Sequence, residues 1–128
     1  MSNGSIPKGQ IIAGWVMSVV ILFPFLPSAF MKIAQPGDFI VEWSKGYPAG
    51  SARPLGIIEL LCVVLYFVPR TRVLGAILMT GYLGGAVATH VHMGETIAFI
   101  PVLVGMLAWG GLFMRDQRLR ALLPTVKD

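Results

Sequence analysis

Glu59 lies within the run Leu55-Gly56-Ile57-Ile58-Glu59-Leu60-Leu61-Cys62-Val63-Val64-Leu65, a carboxylate in an otherwise apolar helix-length segment. An acid in such surroundings either keeps its proton, and can serve as general acid or base, or is held ionised by a nearby cation. Other groups with chemistry recur near the ends of neighbouring apolar segments: Ser28 and Lys32, then Tyr66, Tyr82, Thr89 and His90, with His92 and Glu95 just beyond. Glu59 and His90 are the candidate catalytic residues, Glu59 as acid or base and His90 as its partner. Lys32, Tyr66, Tyr82 and Thr89 are the candidate ligand-binding residues, with Lys32 a counter-charge. Each also has a plain structural reading. Glu59 can tie helices together, Lys32 can snorkel to the headgroups, and histidines at a span end can be polar markers only.

Metal chemistry is not expected. His90, His92 and Glu95 are the set with ligand character, but His90 and His92 project about 200° apart on a helix. They share an ion only if the helix ends between them. The lone cysteine, Cys62, excludes an internal disulfide and any multi-cysteine metal site, and reads as inert packing. No dinucleotide fingerprint, phosphate-binding loop or nucleophile elbow is present. Two shallow histidines on one helix do not suit a haem.

The elements that must position these groups are apolar helices. The 128 residues are 55% hydrophobic and 12% charged, with mean hydropathy +0.76, whereas a soluble domain carries about twice that charged fraction. A single all-α membrane domain is expected, with four spans at about 11–33, 52–69, 72–92 and 97–114. Barrel strands are excluded because nothing alternates. Pro24 and Pro27 predict a kink near the far end of the first span. The apolar stretch from Ile11 to Phe30 exceeds the roughly 7–15 residues of a signal-peptide core, so it is read as a retained span.

The net charge of +4 is carried in short segments between apolar runs, which reads as topology control, not a nucleic-acid face. Lys8, Arg70, Arg72, Arg115, Arg118, Arg120 and Lys127 fall on one side. Lys32, Lys45 and Arg53, offset by Asp38, Glu42 and Glu95, fall on the other. Both termini are therefore expected in the cytoplasm.

The long connection from Ala34 to Arg53 places Phe39, Trp43 and Tyr47 at four-residue spacing, between an expected N-cap at Asp38 and a terminator at Gly46. Either a short amphipathic helix or an aromatic loop would lid the bundle. Gly75, Gly81, Gly84 and Gly85 in the third span, and Gly105, Gly110 and Gly111 in the fourth, are expected to permit close helix packing. At about 1.5 Å per residue, Glu59 sits roughly 8 Å below Pro54, level with Lys32, Thr89 and His90. Gly56, Glu59, Cys62 and Tyr66 share one face of the second span. Tyr82, Gly85, Ala86 and Thr89 share one of the third. If the two stripes face each other, Tyr66 and Tyr82 floor a pocket that opens outward or sideways into the outer leaflet.

The stretches Gly46-Tyr47-Pro48, Pro54 to Cys62, Pro69-Arg70-Thr71, Thr80 to His90 and the tail Arg115 to Pro124 resemble the DoxX-like family of small bacterial membrane proteins. The resemblance covers the chain from about Gly14 and implies one four-helix domain in the bacterial inner membrane. The family's lysine, glutamate and threonine–histidine positions correspond to Lys32, Glu59 and Thr89-His90. It also implies an association with membrane oxidoreductases, in which redox chemistry would need a bound quinone or a partner. Three functions follow. The first is binding or turnover of a small apolar or quinone-like molecule at Glu59, His90 and Lys32. The second is an accessory subunit anchoring an oxidoreductase complex, or assembling with copies of itself. The last is a proton-coupled exporter.

Overall fold

The computed structural model describes residues 6–126; Lys127, counted above among the basic residues, lies outside them. The elements are α1 (Lys8–Val20), α2 (Leu22–Ala34), α3 (Phe39–Trp43), α4 (Ala52–Phe67), α5 (Arg72–His92), α6 (Phe99–Arg115) and α7 (Gln117–Leu122). A 3-10 turn, Thr96–Ala98, leads into α6, and no strand occurs among the described residues. Lys8–Ala34, α4 and α5 are helical where helices over about 11–33, 52–69 and 72–92 were expected. The fourth expected span starts as a 3-10 turn, and α7 was not expected.

Among the described residues, three segments are long and apolar enough to cross a membrane: Lys8–Ala34 with 27 residues, Arg72–His92 with 21 and Thr96–Arg115 with 20. With 16 residues, α4 is about a turn short of the roughly 20 that a bilayer core requires. The bundle's exterior is apolar all round, with Phe23, Leu61, Ile77 and Met106 more than half exposed. Water would penalise such a surface, whereas acyl chains would not.

The disturbance expected from the prolines falls nearer the middle of the first segment than its far end. The segment is interrupted at Ile21, where α1 gives way to α2. Pro24 explains the position: it has no N–H to offer Val20, and its ring crowds the carbonyl four residues earlier. Pro27 is accommodated inside α2. The break sends the two halves to different partners, α1 to α6 and α2 to α4, while α4 packs on α5 and α5 on α6.

Glycines pin three of these contacts. A Cβ on Gly14 would stand 2.7 Å from the Gly111 carbonyl, and one on Gly111 2.8 Å from the Gly14 carbonyl, so α1 and α6 touch backbone to backbone. Gly56 meets α2 in the same way, and Gly75 brings α5 against the Tyr66 backbone. Gly81, Gly84 and Gly85 differ from expectation. A Cβ on any of them would meet nothing within 4 Å, and one on Gly105 only Leu83 Cδ1 at 3.6 Å. These glycines leave space open instead of closing helices together.

Candidate functional site

The site begins with the close approach at Gly56. A Cβ there would lie 2.8 Å from Lys32 Cβ and 3.1 Å from the Ala29 carbonyl, so only glycine allows α2 and α4 this near. One turn further along α4, Glu59 enters the bundle on the same face as Gly56, Cys62 and Tyr66, all four buried. On α2, Ser28 and Lys32 stand one turn apart and face Glu59. On α5, Tyr82 reaches the same point, with its ring 6.2 Å from that of Phe25.

Three donors converge on one carboxylate oxygen. Glu59 Oε1 accepts from Lys32 Nζ at 2.9 Å, Tyr82 OH at 3.0 Å and Ser28 Oγ at 3.1 Å. Lys32 Nζ also donates to Ser28 Oγ and to Tyr82 OH, both at 2.6 Å. The side chains of Lys32 and Glu59 are only 14% and 3% exposed. An isolated ion of either sign here would cost several kcal/mol, roughly, in lost solvation; pairing and hydrogen bonding offset that. The second oxygen, Oε2, accepts from no described residue, yet it is not among the enclosed unpartnered atoms. Glu59 lines the adjoining cavity, and Oε2 is the oxygen left for it.

That cavity measures about 720 Å³, within the roughly 300–1,000 Å³ typical of small-molecule sites. It is the wedge left where α2 leans away to α4 while α6 stays with α1. Pro24 and Phe25 form one wall, Ile100, Pro101 and Val104 the opposite one, and Tyr82, Ala86 and Thr89 the back. Gly81 and Gly85 also line it, which explains their open space.

The 35–51 connection covers the cavity with both of the anticipated features, a short helix and an aromatic run. Phe39, Trp43 and Tyr47 stack, with centroids 5.7 and 4.0 Å apart. Trp43 Nε1 donates to Ser51 Oγ at 2.9 Å, fixing the stack. Asp38 occupies the expected N-cap position of α3 but makes no capping bond from its side chain. Gly46 lets the chain pass beneath Met93, whose sulfur would stand 3.0 Å from a Cβ there.

Lys32, Glu59, Tyr82, Thr89 and His90 all line this one cavity. His90, however, does not pair with Glu59. Its Nδ1 meets Glu95 Oε1 at 2.6 Å, because Gly94, at φ +72°, turns the chain back over the end of α5. His92 stands apart from that pair, and no group of three metal-ligating side chains occurs among the described residues. Tyr66 does not floor the cavity. It is fully buried nearer the chain termini, where its hydroxyl donates to the Ala108 carbonyl at 2.5 Å. Seven residues along α4 from Glu59, it keeps the same face but sits about 10 Å away along the axis.

Tyr66 belongs to a second polar cluster that sequence reasoning missed. Ser18 Oγ lies 2.9 Å from Tyr66 OH, and Arg115 Nε donates to Ser18 at 3.2 Å. The Arg115 guanidinium lies 4.0 Å from the centre of the Trp15 ring. Beside it, Asp116 accepts from Arg72 Nε at 3.0 Å and from Arg118 Nη2 at 2.7 Å. The hydrogen bonds from Arg118, supported by the Arg72 charge, hold the Asp116 carboxyl down to about 2. Arginines that read as topology signals thus also lock α1, α5 and α6 together. A lone serine in an apolar run was the only hint.

The chain belongs to the DoxX-like family, whose model matches residues 16–111, about three quarters of its length. No curated protein and no solved structure matches it. Family membership and the three apolar segments together point to a membrane protein.

Proposed function

We propose that this DoxX-like protein binds a small, largely apolar molecule of quinone-like size in the wedge between α2, α5 and α6. One observation carries the reading: a buried carboxylate, neutralised by Lys32, keeps one oxygen open to an apolar cavity of about 720 Å³. Polar groups inside a membrane are retained for tasks, and a few convergent polar atoms on apolar walls orient a ligand. The residues fit a quinone in its reduced, hydroxyl-bearing form. Its ring would lie against Phe25, Tyr82 and Val104, with Glu59 and Thr89 at its polar edges. Such a molecule would bring its own two-electron redox chemistry to the site.

In this reading α4 is a fourth, short span, both termini are cytoplasmic, and the lid lies at the outer face of a bacterial inner membrane. The wedge then opens sideways toward the outer leaflet, where apolar ligands are concentrated. His90 sits at the mouth with Glu95 and can relay a proton between the surface and the cavity. Ala86→Phe should fill the cavity without touching the Glu59 cluster. Wild-type protein in mild detergent is expected to retain an extractable apolar molecule, or to take one up, and Ala86→Phe to do neither. Equal retention by both proteins would reject the reading.

A second reading, an accessory subunit beside an oxidoreductase, draws on the apolar groove of about 380 Å³ between α5 and α6, lined by Leu83, Gly84, Val102, Gly105 and Trp109. Co-purification of a redox partner that is lost on Gly84→Leu would favour it.

A further inference from the structure

The hydrogens of the Glu59 cluster can be counted. Lys32 Nζ has three, and three acceptors take them: Ser28 Oγ, Glu59 Oε1 and Tyr82 OH. The hydroxyl hydrogen of Ser28 goes to Glu59 Oε1, and so does that of Tyr82. With the ion pair formed, every hydrogen in the cluster has an acceptor inside it. What the cluster turns to the cavity is a lone-pair surface, Glu59 Oε2, with no matching donor. Its formal charge is zero, one ammonium against one carboxylate.

From this count we infer that the deep end of the cavity selects a neutral ligand that brings its own hydrogen, a phenol, quinol or alcohol, over a carbonyl, ether or carboxylate of the same shape. The inference rests on the ligand-binding reading above and narrows it. A carboxylate or phosphate would meet a second negative oxygen and find Lys32 already saturated. A carbonyl or ether would set lone pairs against lone pairs. A hydroxyl donates to Oε2 in a charge-assisted bond, the stronger kind in a low dielectric. Thr89, in the last turns of α5, and Tyr47, in the lid, also line the cavity, so their hydroxyls can serve the ligand's other end. Lys32 is accordingly a positioning residue: it holds Oε1 and neutralises the acid, leaving Oε2 to the ligand.

The test uses the full chain in nanodiscs, with empty nanodiscs correcting for partition into lipid. The probes are para-hexylphenol, para-hexylanisole and para-hexylbenzoate. Wild-type protein is expected to bind the phenol at least about tenfold more tightly than either of the others, the worth of one charge-assisted hydrogen bond. Equal binding of phenol and anisole would overturn the selection while leaving the cavity as a ligand site. Tightest binding of the benzoate would overturn it too, by revealing an unsatisfied positive charge. No probe bound above empty nanodiscs would overturn the binding reading itself. In Glu59→Gln the amide oxygen can keep the inner donors while its NH₂ faces the cavity, so the preference should vanish or turn toward the anisole. An undiminished phenol preference in a folded Glu59→Gln protein would refute the assignment. Should that variant not fold, the wild-type probe series decides by itself.

Discussion

The Lys32 ammonium and the Glu59 carboxylate, 27 residues apart in the chain, meet at 2.9 Å one helical turn beyond the Gly56 crossing of α2 and α4. The pair exists because two backbones approach closely enough for short polar reach. Removing one partner strands the other in an apolar interior. Lys32→Met is expected to cost about 3–5 kcal/mol, the usual penalty for breaking a buried pair. The double variant Lys32→Met/Glu59→Gln should recover about 2 kcal/mol of that through coupling. Equilibrium unfolding in detergent measures the cycle, and additive losses would show that the pair is not coupled.

Gly75 and Gly84 lie on the same helix and should respond in opposite ways. A Cβ on Gly75 would collide with the backbone nitrogen and Cα of Tyr66, which cannot yield as a side chain can. Gly75→Ala should therefore destabilise by about 2–3 kcal/mol through overpacking. Gly84→Ala meets open space and should be neutral or stabilising by up to about 1 kcal/mol, the helix-propensity gain. Thermal unfolding of the two variants side by side checks the contrast.

Tyr66→Phe removes one oxygen that serves both Ser18 and the Ala108 carbonyl, and through Ser18 supports Arg115. The expected loss is about 1–3 kcal/mol, from buried groups left without partners. Because Tyr66 does not line the cavity, ligand affinity at the other end should stay within about twofold, less than 0.5 kcal/mol. A large affinity loss at unchanged stability would instead connect Tyr66 to the site.

Asp116 makes stability depend on acid pH. Its folded-state pKa of about 2 lies below the ordinary value of about 3.9. Its contribution is therefore complete above about pH 4 and is lost as pH falls through about 2. The shift corresponds to about 1–2 kcal/mol once screening of the exposed Arg118 is allowed for. Unfolding of wild type and Asp116→Asn should differ by that amount at pH 6 and converge near pH 2. A constant difference across this range would remove the carboxylate as its source.

Much of this arrangement was legible in the chain itself. Glu59, Lys32, Thr89 and His90 could be placed at one level, with Tyr82 below them, because helix rise and periodicity are local properties, set by each apolar run without reference to its neighbours. The aromatic lid followed from the four-residue spacing of Phe39, Trp43 and Tyr47 for the same reason. Family membership was likewise readable, since the motif stretches are contiguous.

Pairing and azimuth are different in kind. Which partner each half of the first helix takes depends on the break at Ile21. Pro24 makes that break, but its direction is set by where Gly14 and Gly56 find backbones to approach. That bend opened the cavity, and it moved Gly81 and Gly85 from expected packing surfaces to cavity walls. The Gly94 turn gave His90 to Glu95, and seven residues of helix carried Tyr66 away from Glu59 to the Arg115 cluster. Periodicity tells which side chains share a face. Only the packed helices decide which faces meet, because contact energy depends on residues distant in the chain.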